Sequence, residues 1–402
     1  MTIIAGIYAC GSGLESHLEI WNSIKRLLSR DKSDTIIELV DDKCCFAKID
    51  VGAFDQSGIH NDDEGNFSML AGDPLLDPVT KQHDRHRDLI ELHMSLFEDH
   101  GRKFQYTRGM FCGAFYSYEK NTLTLVVDKY GLRPLYYCRL ENFIIFSSVQ
   151  RIFEEIADIP LTMSLKGTTE MVVFGYPLSN RTPYQNLFCL EDAQALTFSG
   201  DKTSAKRYWT WEQNDIRKQN LSLTDSARKL YDLYIEATAI RLGPDKNARA
   251  YLSGGLDSRC VVAGLLNCGA DVTTYNFSPE NTYDQLISSK VANELGTQHH
   301  AKILREDDGV KQHAYTLNVY FPFSSLSRRD FFRPQIVWTG DGGSVGSGYV
   351  YLHQNQVELL RNGKTRAAIA EYLSSNKLGV GVKILKSPLF NGIENAITGL
   401  VK

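Results

Sequence analysis

The sequence predicts an α/β protein built of two unlike parts, stacked antiparallel sheets in the first half and a parallel α/β sheet in the second. Three observations carry this. Short β-rich runs crowd residues 2–146 with few helical stretches between them, a polar stretch separates the halves, and beyond it helical and strand patterns alternate. At 402 residues the chain exceeds one ordinary domain of ~150 residues. The expected division is 1–208, a linker at 209–221, and 222–402.

Residues 2–9 are apolar throughout and read as a strand buried on both faces; Leu18, Trp21, Ile24, Leu27 and Leu28 then mark one side of a helix. Strands are expected at Thr35–Val40, Cys44–Val51 and Phe67–Ala71, and a helix around Leu89–Phe97. The runs 109–118 and 122–127 flank Glu119-Lys120-Asn121, a hairpin turn, and Leu135–Cys138 and Phe143–Phe146 form a second pair. Glu212 to Asn220 is polar and reads as linker. Ala227, Leu230, Tyr231, Tyr234 and Ala237 mark a helix capped by Ser222 or Thr224. Strand Val272–Phe277, helix Asp284–Leu295 stopped by Gly296, strand Ala301–Leu304 and strand Gln335–Trp338 complete the alternation, with ligands expected at the carboxyl ends of the strands.

Composition narrows the functional classes. The 44 basic and 48 acidic residues give a net charge of −4, with no basic field for nucleic acid. No run approaches the ~18 apolar residues of a membrane span, and the N-terminus lacks the positive flank of a secretion signal, so a cytoplasmic location is the default expectation. The eight cysteines show no CxxC pair and read as buried thiols rather than a disulfide framework or zinc site.

The stretch with chemistry is Leu252-Ser253-Gly254-Gly255-Leu256-Asp257-Ser258. Ala248, Ala250, Tyr251 and Leu252 form a strand-like approach, and Val261, Val262, Leu265 and Leu266 give the helical face that follows. Gly254 and Gly255 let the backbone close on a ligand, and the first amides of the helix point at an anion together with the Ser253 and Ser258 hydroxyls. A carboxylate beside phosphate repels it, so Asp257 implies Mg²⁺ between the two. Tyr275 and Phe277, at the end of the next strand, are candidates to line a pocket beside the loop, with core packing as the alternative. His299 and His300 are adjacent on a strand and point to opposite faces, which disfavours a shared metal site.

On these residues the chain resembles the asparagine synthetase family, whose members join an N-terminal glutaminase-type domain to a C-terminal ATP-pyrophosphatase domain. Ser253 to Ser258 is similar to the family's pyrophosphate loop, Val291 to His300 to the segment after it, and Gly340-Asp341-Gly342-Gly343-Ser344, running on through Ser347 to Leu352, to the glycine-rich turn facing that loop. Arg108-Gly109-Met110-Phe111 and Asp128 to Tyr137 resemble the core of the glutaminase domain. The resemblance covers nearly the whole chain. It implies an Ntn-hydrolase-like αββα sandwich followed by a parallel pyrophosphatase domain truncated at its C-terminal helical part. It implies ATP and Mg²⁺, with Asp257 on metal and pyrophosphate, Asp341 near the acyl-adenylate, and Leu252, Ser253, Gly254, Gly255, Leu256, Ser258, Phe277, Gly340 and Gly342 around the nucleotide.

Departures from the family qualify this. Glutamine-hydrolysing members use a cysteine freed as residue one, with its own amine as base; Ala5 stands at the matching strand start, and Ala71 replaces the oxyanion-holding asparagine before Gly72. The expectation is that glutamine hydrolysis is absent, a clip before Cys10 being the disfavoured rescue. Ser344 replaces a metal aspartate, and the family's catalytic lysine falls beyond Lys402, with Lys377, Lys383 and Lys386 untied to its role. The expected function is an amide-forming ligase that adenylates a small-molecule, peptide or saccharide carboxylate and passes it to ammonia or an amine. A glutamine-hydrolysing asparagine synthase and a non-catalytic scaffold stay open as alternatives, as do a homodimer and a partner completing the C-terminal part.

Overall fold

A computed structural model describes residues 2–11, 18–29, 34–52, 57–76, 84–211, 221–243, 246–304, 337–343 and 353–375. In the first half the strands are β1 (Ile3–Ala9), β2 (Ile36–Val40), β3 (Cys44–Ile49), β4 (Ile59–Asn61), β5 (Phe67–Gly72), β6 (Phe111–Ser117), β7 (Thr122–Val127), β8 (Tyr136–Leu140), β9 (Phe143–Ser147), β10 (Leu187–Cys189), β11 (Gln194–Ser199) and β12 (Lys202–Arg207). Helices α1 (Leu18–Leu28), α2 (Arg85–Glu98), α3 (Arg151–Glu155) and α4 (Leu165–Phe174) lie among them. The strands form two antiparallel sheets, in the orders β10-β8-β9-β1-β3-β2 and β12-β11-β7-β6-β5-β4.

Residue parity explains the layering, because successive side chains of a strand face opposite ways. From β1, Ile4 and Tyr8 enter a core between the sheets with Phe46, Phe146, Met69, Ala114 and Leu125. Ile3, Ala5 and Ile7 face away, onto Trp21 and Ile24 of α1. Across the second sheet, Leu70, Phe111 and Phe115 meet Leu89 and Leu92 of α2. The product is helix, sheet, sheet, helix, the αββα order expected. At Gly6 a Cβ would stand 2.4 Å from Phe146 Cζ and 2.5 Å from the Cys45 carbonyl, so only glycine lets β1 sit this close to its neighbours.

Asp128, fully buried at the end of β7, explains the turn that follows. Its Oδ1 accepts from the amides of Tyr130 (3.0 Å) and Leu132 (3.2 Å), its Oδ2 from those of Arg133 (3.0 Å) and Phe111 (3.2 Å). One buried carboxylate thus accepts from four backbone donors.

The second half holds α5 (Leu223–Leu242), β13 (Asn247–Tyr251), α6 (Leu256–Asn267), β14 (Asp271–Ser278), α7 (Tyr283–Leu295), β15 (Gln298–Ile303), β16 (Val337–Trp338), α8 (Gln354–Arg361) and α9 (Thr365–Ser375). Its sheet is parallel, in the order β15-β14-β13-β16. Ala248, Ala250, Leu252 and Val272 pack on Val262 and Leu265 of α6 and Ala292 of α7. Ser222 caps α5 by accepting the Asp225 amide at 3.1 Å, as its position suggested.

Several expectations shift. Trp209, the first residue of the expected linker, is buried against Leu70 and Phe104, and Tyr208 donates its hydroxyl to the Val127 carbonyl at 2.7 Å, so the sandwich continues through both; Glu212 to Asn220 lie outside the described residues. Strand β15 starts at Gln298, where its polar residues hid it, and β4, β10, β11, β12, α3 and α4 were not anticipated. Gln335, Ser344, Ser347 to Leu352, and Lys377, Lys383 and Lys386 lie outside the described residues. All eight cysteines are free as expected, and Cys44, Cys45, Cys112 and Cys138 are buried, but Cys10, Cys189 and Cys268 are half-buried and Cys260 is exposed, against the expectation of buried thiols. Among the described residues no helix is long and apolar enough to cross a membrane.

A buried histidine cluster ties β4 and β5 to α2. His93 Nδ1 meets Ser68 Oγ at 2.6 Å and its Nε2 meets Asp62 Oδ2 at 3.0 Å, while His60 lies edge-on to it with ring centroids 4.7 Å apart. Burial holds both His60 and His93 below the ordinary histidine value. The fold therefore favours neutral rings. Its stability is whole above the unfolded-state value of about 6.5 and falls as pH drops below it, when the unfolded chain takes up protons that the fold resists. Urea midpoints measured from pH 7.5 to 5 should decline, and His60→Phe should flatten that decline.

Candidate active site

The sheet order itself locates the site. β14 and then β15 lie on one side of β13, and β16 lies on the other, so the chain reverses its direction of growth between β13 and β16. The carboxyl ends of strands flanking such a switch border a crevice that receives ligands. Leu252 to Gly255 leave β13 there, and Thr339 to Gly343 leave β16.

The first turn is held by its own polar atoms. Ser253 Oγ and Ser258 Oγ are 2.9 Å apart, the Ser253 amide donates to Ser258 Oγ (3.1 Å), and the Gly255 amide donates to Ser253 Oγ (3.1 Å). Asp284, in the first turn of α7, accepts the Gly254 amide at 2.7 Å. A side chain on Gly254 would press on that same residue, its Cβ 3.2 Å from Asp284 Cα. Helix α6 then begins at Leu256 with Gly255 as N-cap and no side-chain cap, whereas Ser164, Ser222 and Thr282 cap α4, α5 and α7 with their hydroxyls. An uncapped helix start presents its first amides, and the positive end of its dipole, to whatever anion lies in the turn.

The second turn rests on the first. A Cβ at Gly340 would fall 2.5 Å from the Ser258 nitrogen and 2.9 Å from its Cα. At Gly343 it would fall 2.8 Å from Asp257 Cγ and 3.1 Å from Asp257 Oδ2. Gly342 has φ of +76°, a conformation that favours glycine, and lets the turn fold over. Asp341 is exposed at its tip, its amide donating to Thr339 Oγ1 at 3.3 Å. Two glycine-rich segments some eighty residues apart in sequence thus bring Ser253, Gly255, Asp257, Ser258, Gly340, Asp341, Gly342 and Gly343 together.

Other expected residues stand further back. Leu252 is 1% exposed, its amide bonded to the Tyr275 carbonyl and its carbonyl to Asn276 Nδ2, both at 2.9 Å, so its part is to fix where the turn begins. Leu256 is exposed at the first position of α6. Phe277 lies edge-on to Tyr251 (5.6 Å between centroids), and Tyr275 stacks on His300 (5.3 Å), as cross-strand neighbours do. His299 turns the other way, its Nδ1 on Thr274 Oγ1 at 2.8 Å, so the two histidines form no shared site. Two residues near the turn were missed. Asp284 carries a sequence signal, an acid just after a Thr cap; Arg259, whose Nε donates to the Gly255 carbonyl at 3.2 Å, carries none.

In the sandwich, Ala5 is not at a strand start. It is fully buried as the third residue of β1, opposite Ala47 and Ser147, which corrects the expected placement while leaving no thiol there. A clip before Cys10 would delete β1, the strand between β9 and β3, so that rescue does not suit this sheet. Where β1 begins, Thr2 Oγ1 donates to Asp50 Oδ1 (3.1 Å), and the buried Lys48 Nζ lies 2.7 Å from Asp50 Oδ2. Burial, with the nearby Arg85 charge, lowers Lys48 to about 8. Ala71 is buried, and Gly72 packs on the Met110 carbonyl.

Comparison with known proteins gives two domain matches, a glutamine amidotransferase domain over residues 81–209 and asparagine synthase over residues 229–321. A putative glutamine-hydrolysing asparagine synthetase 2 of Methanocaldococcus jannaschii is 28% identical over 66% of this chain and 54% of its own length. Asparagine synthetase 3 of Bacillus subtilis is 26% identical over 50% of this chain and 35% of its own. The chain thus spans about half or less of the length of these curated relatives. Among solved structures, a glutamine phosphoribosylpyrophosphate amidotransferase of B. subtilis aligns with 74% of this chain and 90% of its own at 11% identity and a TM-score of 0.33.

Gly340→Ala tests how the two turns meet. The added methyl collides with backbone, so the turns must part; amide exchange at Asp257 and Ser258 should rise while exchange in β1 and β6 stays unchanged. Equal exchange at Ser258 in the variant and the parent would show that the turns do not touch.

Proposed function

The chain belongs to the asparagine synthetase family, and on that premise we propose that it is an ATP-dependent, amide-forming ligase whose first half does not hydrolyse glutamine. A substrate carboxylate oxygen attacks the α-phosphorus of ATP. The bond to the bridging oxygen breaks, pyrophosphate leaves with the electron pair, and an acyl-adenylate remains. The nitrogen of ammonia or an amine then attacks the acyl carbon and expels AMP, giving the amide.

One observation carries this reading: two glycine-rich turns close on each other over the uncapped start of α6, at the switch point of a parallel sheet. In that frame the Ser253 and Ser258 hydroxyls, the Gly255 region and the first α6 amides receive the departing pyrophosphate. They are fixed before charge develops, so stabilising it needs little reorganisation. Asp341, exposed at the tip of the second turn, accepts the proton of the incoming amine. The space beside Asp257 that a Gly343 side chain would fill suits a small cation with oxygen ligands. Among the described residues no group of three ligating side chains gathers there, so Asp257 would hold Mg²⁺ alongside phosphate oxygens and water. When bound, Mg²⁺ supplies charge neutralisation between the carboxylate and the phosphates.

Absence of glutamine hydrolysis is supported by Thr2 and Ile3, rather than a cysteine, where β1 begins, and by Ala71 in place of the asparagine before Gly72. A cytoplasmic location belongs to the same proposal.

ATP–pyrophosphate exchange across a panel of carboxylates tests the synthetase half. Asp257→Ala should lower exchange by at least about a hundredfold, a loss of roughly 3 kcal/mol of charge stabilisation; equal exchange in variant and parent, or none in either, would leave a scaffold as the better reading. For the first half, glutamate release from glutamine should stay at background, and release above it would overturn that part.

A further inference from the structure

Beside the two turns lies a cavity of about 950 Å³, a volume suited to a small organic ligand. Helix α5 supplies Leu230, Tyr231 and Tyr234, α6 supplies Leu256, Cys260 and Val261, and Thr339 to Asp341 with Gly343 close one end. Gly264 shapes the floor: a Cβ there would stand 2.8 Å from Tyr234 Cε1, so glycine lets the tyrosine ring lie against α6. Leu230, Tyr231 and Leu256 are 59%, 54% and 66% exposed, an unusual clustering of large apolar side chains beside a polar turn.

The charges of this cavity are one-sided. Among the described residues that line it, Asp257 and Asp341 are the charged side chains, both at the end formed by the turns, and Asp341 is the exposed one. A dicarboxylate such as aspartate would bring a second anion up against Asp341, and ammonia is too small to use an apolar wall. The complementary ligand has an apolar body and a positive end.

We propose that this groove is the subsite for the acyl acceptor, a primary amine carrying an alkyl or aryl body, its ammonium end drawn to Asp341 and its body laid on Leu230, Tyr231 and Val261. This rests on the ligase reading and names its second substrate. The docked ammonium gives one proton to Asp341. The freed nitrogen lone pair attacks the acyl carbon, the C–N bond forms, and the C–O bond to AMP breaks with its electrons on the phosphate. The remaining surplus proton on nitrogen passes to solvent. A nitrogen donor from solution also fits a first half that produces no ammonia.

The groove contains its own reporter, because Cys260 is exposed and lines the wall. In the full chain without ATP, the rate of Cys260 alkylation by iodoacetamide is followed by peptide mass spectrometry. Phenethylamine should slow it, whereas ammonium and phenylacetate at equal concentration should not. Asp341→Asn should weaken protection by about two- to fivefold, the scale of an exposed ion pair, and Tyr231→Ala, an exposed position tolerant of change, should weaken it further. No protection by phenethylamine, equal protection by phenylacetate, or protection unchanged in Asp341→Asn would overturn the proposal. Because the readout uses neither ATP nor turnover, these outcomes are independent of the exchange test: a ligase that fails here takes its amine elsewhere, and a groove that passes in a chain without exchange binds amines without using them.

Discussion

The functional half depends on the close approach of two backbones, the turn after β16 lying on the first residues of α6. Neither Gly340 nor Gly343 has room for a side chain, one blocked by Ser258 main chain and the other by the Asp257 carboxylate. That approach follows from strand order. Arg249 and Ala250 of β13 pair in parallel with Val337 and Trp338 of β16, which brings two segments far apart in sequence to the same edge of the crevice. Without that pairing, Ser253 to Ser258 would be one more strand-to-helix turn. With it, Asp341 is delivered to the same crevice as the serine hydroxyls.

The sandwich shows what its fold needs in order to stand. Its stability comes from parity: alternate residues of β1 fill two separate cores, and neither core requires a nucleophile. The loop holding Gly72 and Asp73 still packs against Gly109, whose Cβ would clash with the Asp73 carbonyl. From there the contacts reach the other half, since Arg108 pairs with Glu236 at 2.8 Å and Arg241 donates to the Arg108 carbonyl at 2.8 Å. Both partners lie on α5, the helix that also walls the amine groove. The sandwich thereby steadies a wall of the neighbouring cavity.

The parts legible in the sequence were those set by local rules. Alternation and hairpin turns located β1, β3, β5, β6, β7 and β9, and the glycine pair with its serines located the loop, because each depends on a few neighbouring residues. The short strands β4 and β10 were missed because three residues show no periodicity, and β12 because Lys202 to Arg207 is polar throughout, paired to β11 but exposed along its whole length. Ala5 was misplaced because a strand start is a matter of register, and an apolar run from residue 2 to residue 9 has no internal mark of where its functional end lies. The groove was invisible for another reason. Leu230 and Tyr231 read as the buried face of an amphipathic helix, and only the three-dimensional arrangement shows them exposed beside Asp341.

The same arrangement decides how an acidic site can handle phosphates. Asp257 repels an anion, and Asp284 would do likewise were its carboxylate not already accepting the Gly254 amide. What an anion in the turn would meet is therefore mostly dipoles: hydroxyls of Ser253 and Ser258 held within 2.9 Å of each other and the first amides of α6. Dipoles fixed in this way lose little on binding, whereas a carboxylate beside an anion is made favourable by a cation between the two. The two remaining carboxylates then divide naturally. On the proposed reading Asp257, enclosed against Gly343, serves the phosphate side, and Asp341, exposed at the tip, serves the amine. A substitution that moved either charge would alter both halves of the reaction, because the glycines hold the two turns in direct contact.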